Sequence, residues 1–384
     1  MSQRLDAGIL LLGDLVGFPT VTSESNLDLI DYAANHLEPH ASEVRLTYDE
    51  TRQKANLLAT IGPLTDGGVI LSGHTDVVPA EESDWAGAPF VATLREQRIY
   101  GRGTADMKGF IACALAMAPF YESLHLSRPI HIALTFDEEV GCRGARVLID
   151  DLVVRGPKPA AAIVGEPTSM RIVTAHKGCY EYTTTITGVE GHGSQPHLGV
   201  NAVEHAARFV NRLLQLGDGL KTSASGASLF DPPHTTISVG TIRGGSARNV
   251  LAGECVVEWE MRPVTRADAE MVLSELNLFE TELQASLGGE ISVMTVCEGE
   301  VDGLESDPSS HALRLLSELL DTSETETVPF GTEGGLYQLA GIPAAVCGPG
   351  SIEVAHQPNE YVALEQLEGC LDMMQGLGEK LSNR

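Results

Sequence analysis

Short apolar runs that alternate with helical segments constrain this sequence more than any other feature. The runs have the length of buried strands and are Val69–Leu71, Ile130–Phe136, Ala160–Val164 and Ala344–Cys347. The segments with helical apolar spacing are Leu5–Val16, Asn26–Leu37, Met107–Tyr121 and Leu364–Leu381. Buried strands that alternate with helices are typical of parallel sheets. We therefore expect an α/β fold, with a mainly parallel sheet that helices cover on both faces.

The pattern changes between residues 179 and 297. The strand-like runs in this part partly alternate polar and apolar residues, and they are Tyr182–Ile186, Thr235–Val239 and Cys255–Met261. Longer helices are predicted over Asn201–Leu216 and Arg266–Ser286, and residues 217–233, rich in Gly, Ser and Asp, indicate a loop. We expect an inserted α+β domain over 179–297, with one open sheet face that can serve dimerisation. The main domain would then consist of residues 1–178 and 298–384.

The charge of the chain excludes some classes of partner. Its 384 residues include 25 Lys and Arg against 53 Asp and Glu, a formal net charge of −28. Nucleic acids and anionic membrane surfaces bind basic surfaces, so we expect neither as a partner. No apolar stretch approaches the roughly 18 residues that a membrane span needs. The 7 cysteines are scattered without a C-x-x-C pair, which indicates reduced thiols and a cytoplasmic location.

Acidic and imidazole side chains lie next to the predicted strands and at the start of one helix. They are His74, the run Asp137-Glu138-Glu139, Glu166, His356 and, directly before the helix at 107–121, Asp106. Ligands in open α/β sheets collect at the carboxyl ends of the strands, so these groups are expected to meet at one edge. Two imidazoles with three carboxylates and no thiolate suit two borderline divalent ions such as zinc, cobalt or manganese. Five ligands for two ions require one bridging carboxylate and leave positions for water and substrate.

Each of these residues also has a simpler explanation. A histidine after a strand is often a packed or surface residue, and adjacent glutamates are often a solvated charge run. Gly165-Glu166-Pro167 is common turn chemistry. Asp106 fits a helix N-cap, and Asp137 fits a cap at the end of a strand. The joint placement of the whole set at strand ends favours the metal site.

Longer motifs make a family resemblance specific. They are SGHTDVVP (72–79), YGRGTADMKG (100–109), DEEVG (137–141), GEPT (165–168), GHGS (191–194), FGTEGG (330–335), GPGSI (348–352) and AHQPNE (355–360). With these motifs in order from 72 to 360, the sequence resembles the M20 family of metallopeptidases and deacylases, and within it the acetylornithine deacetylases. The resemblance implies a di-metal catalytic domain over 1–178 and 298–384, with 179–297 as the dimerisation domain.

The resemblance also implies a role for each residue of the metal site. Asp106 would bridge two divalent metal ions per chain, zinc first and cobalt as the alternative. His74 and Glu166 would complete the ligands of one ion, and Glu139 and His356 those of the other.

Three further residues are expected to act beside the metals. Asp76 would accept a hydrogen bond from the His74 imidazole and fix its tautomer. Glu138 would be the general base that takes a proton from water and returns it to the departing amine. His192 would reach the partner's active site in a homodimer and stabilise the developing oxyanion. For His192, a surface position in a Gly-rich turn is the simpler explanation.

Substrate binding rests on fewer residues. By resemblance, Asn249 and Arg262 would contact the substrate carboxylate, which an arginine fork matches in shape. Thr332, Gly334 and Gly335 would bind the same carboxylate through backbone N–H groups. A surface ion pair is the alternative explanation for Arg262.

The implied activity is hydrolysis of the amide bond of a small N-acyl amino acid. The first candidate is N2-acetyl-L-ornithine, which gives L-ornithine and acetate in arginine biosynthesis. The enzymatic alternatives are a succinyl-diaminopimelate desuccinylase, another aminoacylase and a metallocarboxypeptidase, and a catalytically silent metal-binding dimer is an alternative of a different class. Val354 and Asn359 stand where acetylornithine deacetylases often have glutamine and aspartate. Neither position is an expected metal ligand, so these departures concern the choice of substrate and not the hydrolysis.

Overall fold

The computed structural model describes residues 2–223, 228–287 and 289–382. The helices are α1 Gln3–Val16, α2 Leu27–Leu37, α3 Lys108–Ser123, α4 Arg143–Arg155, α5 Ala202–Ser223, α6 Arg266–Ser286, α7 His311–Leu319, α8 Gly334–Leu339 and α9 Leu364–Leu381. Among the helices of the described ranges, none combines the length and apolar character that a membrane span requires.

The strands are short and distributed along the chain. They are β1 Glu43–Tyr48, β2 Ala55–Ile61, β3 Val69–His74, β4 Thr93–Arg95, β5 Arg98–Tyr100, β6 Ile130–Thr135, β7 Ala161–Val164, β8 Val173–His176, β9 Cys179–Thr187, β10 Gly191–His192, β11 Thr236–Gly244, β12 Val250–Leu251, β13 Glu254–Arg262, β14 Ser292–Val301, β15 Leu304–Glu305, β16 Glu326–Val328, β17 Ala344–Val346 and β18 Tyr361–Ala363.

The described residues fall into two compact units. The first lies within 1–175, 304–327 and 332–384, and the second within 176–303 and 328–331. The domain boundaries drawn from the sequence, with the insert at 179–297, stay a prediction.

The main sheet of the first unit has its parallel strands at the centre. Its order is β1-β2-β6-β3-β7-β17-β8-β15, with β16 paired to β8. β3 runs parallel to both β6 and β7, and β7 runs parallel to β17, whereas β1, β2 and β8 pair antiparallel with their neighbours. The predicted α/β fold is confirmed, with the parallel strands in the middle and antiparallel strands added beside them.

Helices cover both faces of this sheet. Alternate strand residues such as Leu57, Leu71 and Ile132 share one core with α1, α2, α3, α7 and α9. The opposite face meets α4 and α8, where Asn56 Nδ2 donates a 2.9 Å hydrogen bond to a carbonyl of α4 and Ser72 lies 2.9 Å from the Tyr337 hydroxyl of α8. Burial on both faces explains why these strands appear in the sequence as apolar runs.

The parallel register brings the carboxyl ends of four strands to the same edge of the sheet. Ser72 of β3 pairs with Val164 of β7, which pairs with Val346 of β17. His74 pairs with Thr135, the last residue of β6. The segments that follow these strands therefore leave the sheet side by side, which is the arrangement that the sequence predicts for the site.

The second unit is built on an antiparallel sheet of order β11-β13-β9-β14. Alternate residues of β9 and β13 are buried in a core with α5 and α6. In that core Tyr182 stacks on Trp259 with ring centroids 4.6 Å apart, and Phe209 of α5 meets the same indole edge-on. The other face of the sheet carries the polar and exposed positions.

One element of the second unit differs from its prediction. The loop predicted over 217–233 is wrong for its first part, because α5 continues to Ser223. Residues 224–227 lie outside the described residues. Gly217 and Gly219 weaken helix propensity but lie on a long amphipathic helix, whose packing against β11 and β13 outweighs a local cost of about 1 kcal/mol per glycine.

Replacement of Gly165, directly before Glu166, tests the packing of the main core. A Cβ atom on Gly165 would lie 2.0 Å from Cγ of Phe110, which is 1% exposed in the main core. We expect Gly165→Ala to lower the free energy of unfolding by about 1–3 kcal/mol, because the Phe110 ring must move within a packed core. Thermal and urea unfolding followed by circular dichroism measure the change.

The same substitution at Gly13 is the matched control. Gly13 lies inside α1, and an added Cβ would meet nothing within 4 Å. Gly13→Ala should therefore stabilise the protein by about 0.5–1 kcal/mol. Equal effects of the two substitutions would contradict the packing described for Gly165.

Candidate metal centre

His74, the last residue of β3, has its two ring nitrogens in different environments. Nδ1 donates to the backbone carbonyl of Asp76 at 2.9 Å, and because a carbonyl only accepts, this contact assigns the Nδ1 proton. Nε2 lies 2.9 Å from Oδ1 of Asp106 and 3.9 Å from Oε1 of Glu166. In the neutral ring the lone pair on Nε2 thus points toward the two carboxylates.

A second imidazole meets the other oxygen of Asp106. His356 Nε2 lies 3.2 Å from Oδ2 of Asp106 and 3.1 Å from Oε1 of Glu139. His356 has a left-handed backbone (φ 60°), a conformation that a non-glycine residue adopts at a local cost and that functional sites often retain. Its side chain is 47% exposed, whereas those of His74 and Asp106 are 1% and 7% exposed, so the cluster opens to solvent at His356.

The structure therefore brings together all five residues predicted as metal ligands. The carboxylate of Asp106 stands between two pairs, His74 with Glu166 and His356 with Glu139. Ligand atoms of His74, Asp106 and Glu139 lie within 4.8 Å of one another. Such spacing allows these three groups to share a cation, and the assignment of the five residues to two metals stays a prediction.

Glu166 supplies a test of whether a cation fits here. Its Oε1 atom is buried and accepts no hydrogen bond from any residue that the structure describes. A buried carboxylate oxygen without a donor is costly, and a divalent ion would satisfy it. The nitrogen and oxygen donors, with no thiolate among them, suit zinc or cobalt.

The charges of the cluster also favour a bound cation. Burial raises the pKa of the Glu166 and Glu138 carboxyls well above the ordinary range, and the negative charge of Asp106 adds to both shifts. Burial also opposes ionisation of Asp106, but its hydrogen bonds with His356 and His74 outweigh burial and lower its pKa. The pKa of His356 rises to about 10, chiefly through its hydrogen bonds with Asp106 and Glu139. Carboxylates that crowd in this way need positive charge to ionise together.

Asp76 has a different role from the one expected. Its carboxylate Oδ1 lies 3.7 Å from His74 Nδ1, which instead donates to the backbone carbonyl of Asp76. The two carboxylate oxygens accept from the backbone N–H groups of Glu138 at 3.1 Å and Glu139 at 3.3 Å, and one also accepts from Thr22 Oγ1. The expected tautomer is thus fixed by the backbone of Asp76, while its side chain orients the Glu138-Glu139 turn.

Glu138, the expected base, lies between the cluster and α4. The Cys142 thiol donates to its Oε1 at 3.5 Å. The left-handed residue of this turn is Asp137 (φ 54°), directly before Glu138, and its carboxylate pairs with Lys54 Nζ. Asp137 is therefore held away from the metal ligands, as the strand-end alternative suggests.

The sequence did not single out the residue that anchors the Asp106 segment. Glu360 is fully buried, and its carboxylate accepts from Arg102, Gly103, Ala105 and Asp106. An acidic residue that closes a motif containing a histidine gives no local sign of burial. One signal could have found it. The motif that contains Asp106 also contains Arg102, a basic residue with no assigned role that could pair with Glu360 in the motif of His356.

In the second unit, His192 and Asn249 are neighbours. His192 of β10 pairs with Val250 of β12, and Gly193 N donates to Asn249 O at 2.8 Å. Both residues are exposed, and His192 Nδ1 lies 2.7 Å from Ser194 Oγ. Arg262 lies at the end of β13, where its Nε and Nη2 donate to Glu260 Oε2 at 3.1 and 2.7 Å. The ion pair that was the alternative explanation for Arg262 is therefore present.

The three predicted residues of the 332–335 segment lie at the start of α8. Thr332, Gly334 and Gly335 are all buried, and the Gly334 N–H donates to Thr332 Oγ1 at 3.0 Å. That N–H is already used within the segment, so the expected nest of backbone donors is smaller than predicted. Glu333 between them accepts from Ser72 Oγ at 2.8 Å and from Thr135, which holds this segment to the ends of β3 and β6.

Comparison with known proteins decides the family. Residues 70–380 match the model of peptidase family M20/M25/M40. The chain is 37% identical to the acetylornithine deacetylase of Proteus mirabilis (strain HI4320), over 97% of this chain and 96% of that one. It is 35% identical to the acetylornithine deacetylase of Pasteurella multocida (strain Pm70), over 98% of both chains.

The chain belongs to the M20 family. The resemblance identified from the motifs is thereby confirmed, and the chain is a hydrolase of a metal-dependent family. Among solved structures, the M20 metallo-carboxypeptidase Sso-CP2 from Sulfolobus solfataricus superposes with a TM-score of 0.74 at 18% identity, over 99% of each chain. At that identity the superposition shows the M20 fold alone.

Metal binding to this M20 site should release protons. Without metal, hydrogen bonds with Asp106 and Glu139 raise the pKa of His356 to about 10, so its ring is protonated at pH 7 and must lose a proton to bind a cation. Burial lowers the pKa of His74, but its hydrogen bond with Asp106 and the charge of Glu166 outweigh burial and raise this pKa above its ordinary value. The apparent zinc affinity should therefore fall as the pH is lowered from 8 to 6, by about tenfold per unit for each proton displaced. Calorimetry in buffers of different ionisation enthalpy counts the protons released.

The matched variant for this measurement is His356→Ala, which should release fewer protons than the wild type. Equal proton release by both proteins would show that His356 does not bind the metal, and an affinity that does not change with pH would show that neither imidazole does.

Proposed function

We propose that the chain is a di-metal amidohydrolase that deacylates N-acyl amino acids, with N2-acetyl-L-ornithine as the substrate. The observation that carries the proposal is the Asp106 carboxylate, whose oxygens lie 2.9 and 3.2 Å from two different imidazoles, with Glu138 beside them. The similarity to two acetylornithine deacetylases supports the substrate and a place in arginine biosynthesis. The products would be L-ornithine and acetate.

The residues that would hold the metals fall into two sets. His74, Glu166 and one oxygen of Asp106 would hold one ion, and His356, Glu139 and the other oxygen of Asp106 would hold the second. Two bound zinc or cobalt ions would lower the pKa of water and polarise the acyl carbonyl. The Nδ1 hydrogen bond of His74 to the Asp76 carbonyl keeps the other ring nitrogen available as a ligand.

Glu138 would move the proton. Its carboxylate takes a proton from the attacking water while the water oxygen bonds to the acyl carbon, and it then delivers the proton to the amide nitrogen as the C–N bond breaks. Burial raises the pKa of this carboxyl well above its ordinary value, and the positive charge of bound metal would offset part of that shift, so that Glu138 could ionise and accept the proton. Asp76 keeps Glu138 in place through its backbone N–H.

An arginine, an asparagine and a short segment of small residues would bind the substrate carboxylate. Arg262, Asn249 and the segment of Thr332, Gly334 and Gly335 would contact the substrate carboxylate, with Arg262 exchanging part of its ion pair with Glu260. We further propose a homodimer through the second unit, in which exposed His192 stabilises the oxyanion in the partner's site. The cytoplasmic location remains a prediction from the cysteine pattern.

A panel of amides tests the substrate. The zinc- or cobalt-loaded protein is assayed with N-acetyl-L-ornithine, acetylated neutral amino acids, N-succinyl-diaminopimelate and a dipeptide. We expect kcat/KM for N-acetyl-L-ornithine to exceed that for the other amides by at least about tenfold, since a charged side chain recognised by a polar site discriminates strongly. A preference for the succinylated substrate or the dipeptide would support the desuccinylase or the carboxypeptidase instead.

Replacement of the base tests the mechanism. Glu138→Ala should reduce kcat by about 10²–10⁴ while zinc binding stays intact, because Glu138 is not one of the expected ligands. Glu318→Ala, which removes an exposed glutamate paired with Lys380, is the control and should keep full activity. Unchanged hydrolysis by Glu138→Ala would refute the assigned role.

A further inference from the structure

A buried carboxylate organises the segment that carries Asp106. Glu360 is 0% exposed, and each of its two carboxylate oxygens accepts two hydrogen bonds. Oε2 accepts from Arg102 Nη1 at 2.6 Å and from Gly103 N at 3.1 Å. Oε1 accepts from Ala105 N at 2.8 Å and from Asp106 N at 3.1 Å. One side chain thus holds three backbone N–H groups of a single loop and a buried guanidinium.

The loop needs such an anchor because it lies outside regular structure. It connects β5 to α3, and it contains Gly103 with a left-handed φ of 81°. Successive N–H groups that converge on one point form an anion-binding nest, and here the chain's own carboxylate fills it. Without that carboxylate these buried N–H groups would lack acceptors, and the loop would gain other conformations.

The same side chain connects two segments that bear expected metal ligands. Asp106, the last residue held by Glu360, places its carboxylate between the two imidazoles. His356 precedes Glu360 by four positions, and Tyr361 directly after it pairs with Tyr100 at the start of the loop. In addition, Gly101 N donates to the Glu360 carbonyl at 3.0 Å. The relative positions of Asp106 and His356 therefore depend on Glu360.

We propose that Glu360 is a positioning residue of the metal centre: its carboxylate holds the 101–106 loop so that Asp106 faces both imidazoles. Its carboxylate bonds with backbone N–H groups and a guanidinium, so it acts through the backbone of Asp106. The inference rests on the proposed two-metal site and concerns a residue that ties Asp106 to the loop of His356.

Three variants separate positioning from general stability. Glu360→Gln keeps the size of the side chain, removes its charge and replaces one of the two acceptor oxygens with an NH2 donor. Glu360→Asp keeps the charge and shortens its reach. Asp151→Asn is the matched control, because Asp151 of α4 forms part-buried ion pairs with Arg45 and Arg155, which both lie outside the loop.

The readouts are zinc calorimetry, the visible absorption of the cobalt-loaded protein, and amide hydrogen exchange of residues 101–106 without metal. We expect Glu360→Gln to bind zinc about 10–100-fold more weakly, to change the cobalt spectrum and to exchange these amides faster. Glu360→Asp should show the same changes to a smaller extent. Asp151→Asn should lower the melting temperature and leave all three readouts as in the wild type.

Wild-type zinc affinity, cobalt spectrum and loop exchange in Glu360→Gln would overturn the proposal. If Glu360→Gln does not fold, the same result in Glu360→Asp overturns it. Failure of the proposed function is a separate result, because it would appear in the wild type as absent metal binding or absent amide hydrolysis. Faster loop exchange in the variants is measured without metal or substrate and stays interpretable in that case.

Discussion

The carboxylate of Asp106 lies between two imidazoles, and the chemistry of the molecule depends on that contact. Each imidazole in turn stands beside a further carboxylate, so that negative charge accumulates in a largely buried region. Such a cluster is stable only when protons or cations compensate it. The buried, unpaired oxygen of Glu166 shows that hydrogen bonds compensate incompletely, and the raised pKa of its carboxyl shows that its ionisation needs added positive charge.

The surrounding structure is arranged to hold this contact. Parallel strands bring His74 and the Glu138-Glu139 turn to one edge, and the Asp76 side chain fixes that turn through two backbone N–H groups. Asp106 itself is on no strand, and its loop is held instead by the buried carboxylate of Glu360. The site therefore depends on two kinds of order. Regular strands position some ligands, and buried carboxylates hold the irregular loops through hydrogen bonds to their backbone.

These two kinds of order also explain how much the sequence predicted. Apolar runs and strand-end placement identified the α/β fold and the residues that gather around Asp106, because strand period is local in the sequence and strands that alternate with helices favour parallel pairing. The anchoring roles of Glu360 and of the Asp76 side chain were beyond prediction, since a buried carboxylate and a surface carboxylate look alike in a sequence. The end of α5 was misplaced because glycine-rich composition suggested a loop where tertiary packing extends the helix to Ser223. For Arg262 the sequence allowed two explanations, substrate binding or a surface ion pair. The structure contains an ion pair with Glu260.

The most direct test of the two-metal site is a crystal structure of the zinc-loaded protein, with anomalous diffraction recorded above and below the zinc edge. The account predicts two anomalous peaks, one on each side of the Asp106 carboxylate, the first next to His74 and Glu166 and the second next to Glu139 and His356. A single peak that does not touch Asp106, or zinc bound instead among Cys179, Glu181 and Glu260 of the second unit, would contradict it.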